Sequence, residues 1–134
     1  MTKHARLFAP TVLAALLGAC TIIPDPARPE SAAVPPPGSA VALGQPVTVC
    51  SLVATPLEVV EDSRCPVNAR CVWAGRLVVR TRIEGQGWNQ TSDLVLGEPY
   101  PTRGGTFALV AGNPSPEAGT PTPREAYRFV YEPR

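Results

Sequence analysis

Residues 61–75 have the sequence EDSRCPVNARCVWAG, which combines two cysteines, a proline, a tryptophan and a glycine in one short run. Five residues separate Cys65 from Cys71, and a chain this short can turn back and bring the two sulfurs within bonding range. An extended apolar segment enters the run and another leaves it. We therefore interpret the run as a corner between two β-strands that a disulfide bond closes.

Two other interpretations of the cysteine pair stay open, a reduced or redox-active dithiol and a metal site. The spacing of the pair differs from the Cys-x-x-Cys redox motif. Structural zinc is almost always held by four ligands, and the only histidine is His4, far from the pair. We expect a structural disulfide between Cys65 and Cys71, and neither a metal nor a cofactor.

The other residues of the run are expected to shape the corner. Pro66 fixes one backbone angle, and Asn68 tolerates turn geometry. Trp73 is expected to be buried and to seat the corner on the core, while Gly75 permits a bend before the next strand. If the ring of Trp73 is exposed instead, the corner becomes a binding surface.

The pattern from Asp62 to Gly75 also resembles the signature of a known family. D-S-R-C-P, four residues and then C-V-W-A-G is similar to the signature of small bacterial exported proteins, most of them predicted lipoproteins of uncharacterised function. The likeness extends more weakly, in layout only, from about Val41 to the last strand, and Cys50 lies outside the pattern. The resemblance implies an exported protein and implies no activity.

The first residues have the features of an export signal. Lys3 and Arg6 give a basic start, and the apolar run at residues 7–17 is too short to span a membrane as a helix, which takes about 20 residues. The run ends in LGAC at residues 17–20, which resembles a bacterial lipoprotein box. We expect residues 1–19 to be a signal peptide and Cys20 to carry the lipid, with palmitate as a typical acyl chain. The alternative is an ordinary secretory signal that is cut after Ala19.

The expected location of the protein is the cell envelope. Stable anchoring takes more than one acyl chain, as a lipoprotein cysteine carries. Thr21 stands where Asp would retain a Gram-negative lipoprotein in the inner membrane, so the resemblance to such lipoproteins implies the outer membrane, facing the periplasm. The membrane, reached through the lipid on Cys20, is therefore one expected partner.

Residues 20–40 are expected to form a disordered, proline-rich tether. Prolines exclude helices and sheet ladders, and they make such a segment extended, at about 3 Å per residue. The prolines are Pro24, Pro26, Pro29, Pro35, Pro36 and Pro37. The folded domain is expected at residues 41–134.

That domain is expected to be all-β, because short alternating runs are bounded by Gly, Pro, Asn and Asp and no run has helical periodicity. Strands are expected at residues 45–49, 57–61, 76–84, 88–96, 106–111 and 126–132, with a turn at 85–87 and a long loop at 113–123. The side chains expected to face the core are Val47, Val49, Leu57, Val59, Leu77, Val79, Ile83, Leu94, Leu96, Phe107, Leu109, Tyr127, Phe129 and Tyr131. Six or seven short strands favour a small antiparallel β-sandwich, with a small β-barrel as the alternative.

Arg76, Arg80 and Arg82 form a basic stripe on one face of an expected strand. The stripe could bind an anionic polymer or a carboxylate-bearing partner. The alternative is a solvated strand face whose arginines pair with acids across the sheet, and we favour this alternative. Acidic and basic residues balance in the domain, so we expect no nucleic acid as a partner.

The expected domain has no histidine and no lysine, which removes the commonest general bases and amine nucleophiles. Its carboxylates are scattered, whereas a glycosidase needs two facing each other across a cleft. They are Glu58, Glu61, Asp62, Glu84, Asp93, Glu98, Glu117, Glu125 and Glu132. We therefore expect no catalytic residue. A buried Cys50 would act as a small apolar residue, with an intermolecular bridge as the alternative.

Three functional hypotheses follow from these features. The leading one is a non-enzymatic, lipid-anchored envelope protein whose β domain is structural or binds another envelope protein. The second is a periplasmic carrier of a small ligand or metal, although the only methionine, Met1, counts against copper. The third is a hydrolase that uses dispersed carboxylates.

Overall fold

A computed structural model describes residues 33–134 and contains two antiparallel β-sheets. The strands are β1 (Val47–Val49), β2 (Leu52–Asp62), β3 (Leu77–Gly85), β4 (Trp88–Val95), β5 (Pro99–Thr102), β6 (Gly105–Asn113) and β7 (Arg128–Pro133). A short 3-10 helix at Arg124–Ala126 precedes β7. One sheet has the order β1-β2-β3-β4 and the other β5-β6-β7, and the two do not close into a barrel. The expected β-sandwich is confirmed, and the barrel alternative is wrong.

The alternation of apolar and polar residues places the core between the two sheets, because successive side chains of a strand point to opposite faces. The fully buried large side chains include Leu52, Leu77, Ile83, Leu94, Phe107, Leu109, Phe129 and Tyr131. Within residues 33–134, Thr81 is the one buried polar residue, and its Oγ1 lies 2.9 Å from the Tyr131 hydroxyl. This hydrogen bond joins the middle of β3 to β7 across the sandwich.

The core-facing predictions are largely confirmed. Buried are Val47, Val49, Leu77, Val79, Ile83, Leu94, Phe107, Leu109, Tyr127, Phe129 and Tyr131, while Val59 and Leu96 pack against this core from partly buried positions. Leu57 is only half-buried. The register of β2 shifts between Pro56 and Glu58 and again between Val59 and Glu61, so simple alternation fails along this strand.

Two strand predictions differ from the structure. β2 begins at Leu52 and not at residue 57, because Pro56 lies within the strand at the first register shift, a position that tolerates proline. β5 was not expected at all. Its sequence, PYPT, contains two prolines, yet it pairs with β6 from Pro99↔Ala108 to Thr102↔Gly105 as an edge strand.

The segment before β1 contacts both sheets. The Thr48 N–H donates to the Pro35 carbonyl at 2.8 Å, and the Gly38 N–H donates to the Tyr131 carbonyl at 3.0 Å. Val41 is fully buried and exchanges two backbone hydrogen bonds with Phe129. Two of these contacts fall in the last part of the expected tether, residues 33–40.

The expected signal peptide, Cys20 and residues 21–32 lie outside the described residues. Within residues 33–134, no helix has the length and apolar character that a membrane crossing would require.

Candidate functional site

The stapled loop, which we define as residues 63–76, joins the end of β2 to the start of β3. Cys65 and Cys71 form the predicted disulfide, with their Cα atoms 5.8 Å apart. The Ser63 N–H donates to the Arg76 carbonyl at 2.8 Å, and the Cys65 N–H donates to the Ala74 carbonyl at 3.0 Å. The loop therefore continues the β2–β3 hairpin beyond Asp62↔Leu77, the last paired residues of the two strands.

Gly75 makes the return of the loop sterically feasible. Its φ is +65°, a backbone angle that residues with a side chain rarely adopt. A Cβ atom at this position would also overlap the carbonyl oxygen of Ser63. The positive φ and the close approach of the two backbones explain why this position needs glycine.

Arg64 fastens the base of the loop to the domain. Its guanidinium donates two hydrogen bonds to the Asp62 carboxylate, each 2.7 Å long, and others to the carbonyls of Gly112 and Pro114. The Tyr127 hydroxyl donates to the same carboxylate at 2.9 Å. The side chains of Arg64 and Asp62 are only 15% and 9% exposed, so solvent screens this ion pair weakly.

The protonation of this cluster follows from its contacts. Partial burial would raise the pKa of Asp62, but the hydrogen bonds from Arg64 and Tyr127 outweigh it and hold the pKa below its usual value. Burial and the neighbouring Asp62 carboxylate raise the pKa of the Tyr127 hydroxyl. Asp62 is therefore ionised at neutral pH and acts as the acceptor that ties Arg64 and Tyr127 together.

The outer end of the stapled loop is held by the long loop at residues 113–123. The Val67 N–H donates to the Pro116 carbonyl at 3.0 Å, and the Ala118 N–H donates to the Asn68 side-chain oxygen at 2.8 Å. Beside these contacts lies a groove lined by Pro114, Ser115, Glu117, Thr120, Pro121, Thr122 and Pro123. Both ends of the stapled loop are thus fixed to the rest of the domain.

The stapled loop exposes large apolar side chains. Trp73 is 81% exposed, Val72 89% and Val67 67%. The prediction that Trp73 seats the corner on the core is wrong, because the loop extends beyond the paired strands and the Arg64–Asp62–Tyr127 contacts hold the corner instead. The exposed ring matches the alternative in which the corner offers a binding surface.

The arginine stripe lies where it was predicted, on the exposed face of β3 and just before it. Arg80 contacts Asp93 at 2.9 Å and Glu58 at 3.3 Å. The ion pair of Arg76 is with Glu61 at 2.8 Å, and that of Arg82 is with Glu84 at 3.0 Å. All three arginines are paired with acids, which agrees with the interpretation of the stripe as a solvated strand face, although the partner of Arg82 lies on the same strand. Arg76 is also the last residue of the stapled loop.

The same contacts account for five of the nine carboxylates named above. Five acidic side chains each form an ion pair with an arginine, namely those of Glu58, Glu61, Asp62, Glu84 and Asp93. Among residues 33–134, no group of three or more His, Cys, Asp or Glu side chains converges on one point.

Cys50 is exposed, and within the described residues it forms no disulfide. It lies in the two-residue turn between β1 and β2 with a φ of +53°. Its thiol is 3.6 Å from the Thr106 carbonyl. A buried Cys50 that acts as a small core residue is therefore wrong, because the tight turn points this position to solvent.

Comparison of the chain with protein-family models, with curated proteins and with solved structures found no match. The function is therefore inferred from the chain's own residues. Sequence reasoning missed Val67 and Val72 as part of the exposed surface. For Val67 a usable signal was present, since it is one of only five residues inside the disulfide loop, which has no interior in which to bury a side chain. Val72 follows the second cysteine and had no such signal.

Proposed function

We propose that this protein is a lipid-anchored, non-enzymatic protein of the cell envelope whose β domain binds another envelope protein through the stapled loop. The observation that carries the proposal is the location of exposed apolar surface. Three of the five exposed large apolar side chains within residues 33–134, Val67, Val72 and Trp73, belong to this one loop. Large apolar side chains that are exposed together on one loop favour an interaction site.

The proposed anchor rests on the sequence at residues 1–20. A basic start, a short apolar run and the LGAC box support lipidation at Cys20, and the resemblance of residues 62–75 to exported proteins supports the same compartment. The Cys65–Cys71 disulfide is consistent with folding in an oxidising environment such as the periplasm. We propose the outer membrane, facing the periplasm, as the location.

The stapled loop is suited to binding because it is held rigid before a partner arrives. The disulfide, the Arg64 contacts and the hydrogen bonds to residues 116 and 118 restrict its backbone. A restricted loop loses little conformational entropy on binding, which favours affinity. Tryptophan is also among the residues that contribute most to binding energy at interfaces.

The exposed side chains of the stapled loop indicate what kind of surface a partner would need. The indole of Trp73 and the side chain of Val72 require an apolar pocket that excludes water. Arg70 is exposed on the same loop and makes no ion pair within the described residues. A carboxylate at the rim of the pocket would complement its charge, so the proposed partner is a protein with an apolar pocket and an acidic rim.

The proposal is tested by photo-crosslinking in intact cells. The full chain carries a photoreactive phenylalanine analogue at position 73, and a matched variant carries it at Val60, an exposed apolar residue on β2 outside the loop. We expect a discrete protein adduct from position 73 and none from position 60. The adduct protein is then purified, and its affinity for the chain is measured.

Trp73→Ala should weaken that affinity by about 30-fold, the loss typical of an interface hot spot, and Val60→Ala should leave it unchanged. Equal effects of the two variants would contradict the proposal. An adduct at position 73 that contains lipid alone would also overturn it, because the loop would then contact the membrane surface.

A further inference from the structure

The outer edges of the two sheets differ in how well their backbone N–H and C=O groups are covered. An edge strand presents unpaired N–H and C=O groups that can pair with another chain, and proteins usually cover or block such edges. At the edge of β1, the Thr48 N–H donates to the Pro35 carbonyl. At the edge of β7, the Tyr131 carbonyl accepts a hydrogen bond from the Gly38 N–H, and Phe129 exchanges two hydrogen bonds with Val41. Three of the four edges are protected when β5 is included, because its Pro99 and Pro101 carry no N–H.

The fourth edge is β4, and its direction of hydrogen bonding follows from the register. Leu96 N–H donates to the Leu77 carbonyl at 2.9 Å directly after the last pair, Val78↔Val95. Since hydrogen-bonded and non-hydrogen-bonded pairs alternate in an antiparallel ladder, residues 88, 90, 92 and 94 bond to β3. Asn89, Thr91 and Asp93 therefore direct their N–H and C=O groups away from the sheet.

Nothing within residues 33–134 covers these groups. No backbone or side-chain hydrogen bond to the main chain of Asn89, Thr91 or Asp93 occurs there outside the ladder, and all three residues are exposed.

We propose that β4 is a dimerisation edge that pairs, antiparallel, with β4 of a second copy about a two-fold axis at Thr91. In this register Thr91 faces Thr91 of the second copy and Asn89 faces its Asp93, and each such pair exchanges two hydrogen bonds. A two-fold axis requires a self-complementary edge, which this register provides.

The side chains across the proposed seam are compatible. The Thr–Thr pair is a favourable cross-strand combination, and Asn89 can donate to the carboxylate of Asp93. On β3, Arg82 lies beside Thr91, Glu84 beside Asn89 and Arg80 beside Asp93. No two like charges directly oppose each other across the axis, and the Asp93 charge is offset by Arg80 at 2.9 Å.

The register is tested in intact cells with the full chain carrying Cys50→Ser, which removes the exposed free thiol. Thr91→Cys in this background should form a disulfide-linked dimer on oxidation, because hydrogen-bonded partners lie about 5.5 Å apart, within disulfide reach. Asn89→Cys should remain monomeric, since the two copies of residue 89 are about 14 Å apart along the strands. The Cys50→Ser parent reports any linkage through other cysteines.

Backbone pairing is tested separately by native mass spectrometry of the detergent-extracted full chain. Thr91→Pro removes one outward N–H without breaking a bond to β3, and it should raise the dimer dissociation constant at least about tenfold. Thr91→Val keeps the N–H and should leave dimers intact. Monomeric wild-type protein, or equal cross-linking at positions 89 and 91, would overturn the proposal.

Discussion

At the scale of single residues, Trp73 and Phe107 show how location decides the energetic role of an aromatic side chain. Trp73 is 81% exposed on the stapled loop, whereas Phe107 is fully buried between the sheets. We expect Trp73→Ala to change the free energy of unfolding by no more than about 0.5 kcal/mol, as surface substitutions usually do. Phe107→Ala should lower it by about 3–5 kcal/mol because it leaves a cavity. Urea denaturation measures both, and a large loss for Trp73→Ala would mean that the ring is buried.

The pKa of Asp62 predicts how stability depends on pH. Arg64 and Tyr127 hold this pKa below the unfolded value, so the folded state favours the ionised carboxylate. Its contribution is fully present above the unfolded pKa of about 3.9 and is lost as the pH falls from there through the lower, folded pKa. Asp62→Asn should therefore lower the free energy of unfolding at pH 7 and reduce the slope of stability against pH below about 4. Denaturation midpoints at several pH values measure the effect.

Glu98→Gln is the matched control for the Asp62 experiment. Glu98 is exposed and forms no ion pair within the described residues. We expect this variant to keep the wild-type free energy of unfolding at pH 7 within about 0.5 kcal/mol, as surface substitutions usually do. An unchanged slope in Asp62→Asn would contradict the assigned role of the Arg64–Asp62–Tyr127 contacts.

At the scale of elements, the stapled loop depends on its covalent closure. Replacing both cysteines in Cys65→Ser with Cys71→Ser should lower the free energy of unfolding by about 2 kcal/mol, because the unfolded chain regains the entropy of a short closed loop. Cys50→Ser, at an exposed free thiol, should change it by less than about 0.5 kcal/mol. Non-reducing peptide mapping should find Cys65 linked to Cys71. A bridge from Cys50 to either residue would contradict this pairing.

The segment before β1 makes an element-level prediction about where the stable domain begins. A chain starting at residue 33 retains the hydrogen bonds of Pro35 and Gly38 to β1 and β7, and a chain starting at residue 41 loses both. We expect the shorter chain to be less stable by about 1–3 kcal/mol, at about 0.5–1.5 kcal/mol for each bond. Thermal denaturation of the two chains compares them. Equal stability would show that residues 33–40 do not support the fold.

At the scale of the whole molecule, the proposed lipid on Cys20 decides where the domain operates. Cys20→Ala should abolish incorporation of labelled palmitate and move the protein from the membrane fraction to the soluble envelope fraction, because it removes the acyl chains. Cys50→Ser should change neither result. Unchanged labelling and partitioning in Cys20→Ala would contradict the lipoprotein assignment.

Much of the fold could be predicted because its signals are local. The period-two alternation of β3 identified Leu77, Val79 and Ile83 as core residues, since neighbouring side chains of any strand point to opposite faces. The disulfide between Cys65 and Cys71 could also be predicted from a local signal, because only five residues separate the two cysteines. The backbone freedom of glycine likewise identified Gly75 as a position of unusual backbone geometry before β3.

Other features depended on residues distant in sequence. β5 could not be recognised from PYPT, because only pairing with β6 makes an edge strand of a segment with two prolines. The exposure of Trp73 was missed because burial depends on what lies opposite a side chain. The stapled loop that carries Trp73 is held by Arg64, which contacts Gly112 and Pro114, 48 and 50 residues away.

The amino-acid sequence by itself therefore determined the all-β class, the faces of regular strands such as β3 and the short disulfide, since each follows from the chemistry of neighbouring residues. Only the tertiary structure decided which apolar side chains remain exposed and which sheet edges are covered. Residues 35–41 protect β1 and β7, while no hydrogen bond from residues 33–134 covers the outer edge of β4. Exposure and edge protection are properties of surfaces that distant segments build together, so no local pattern specifies them.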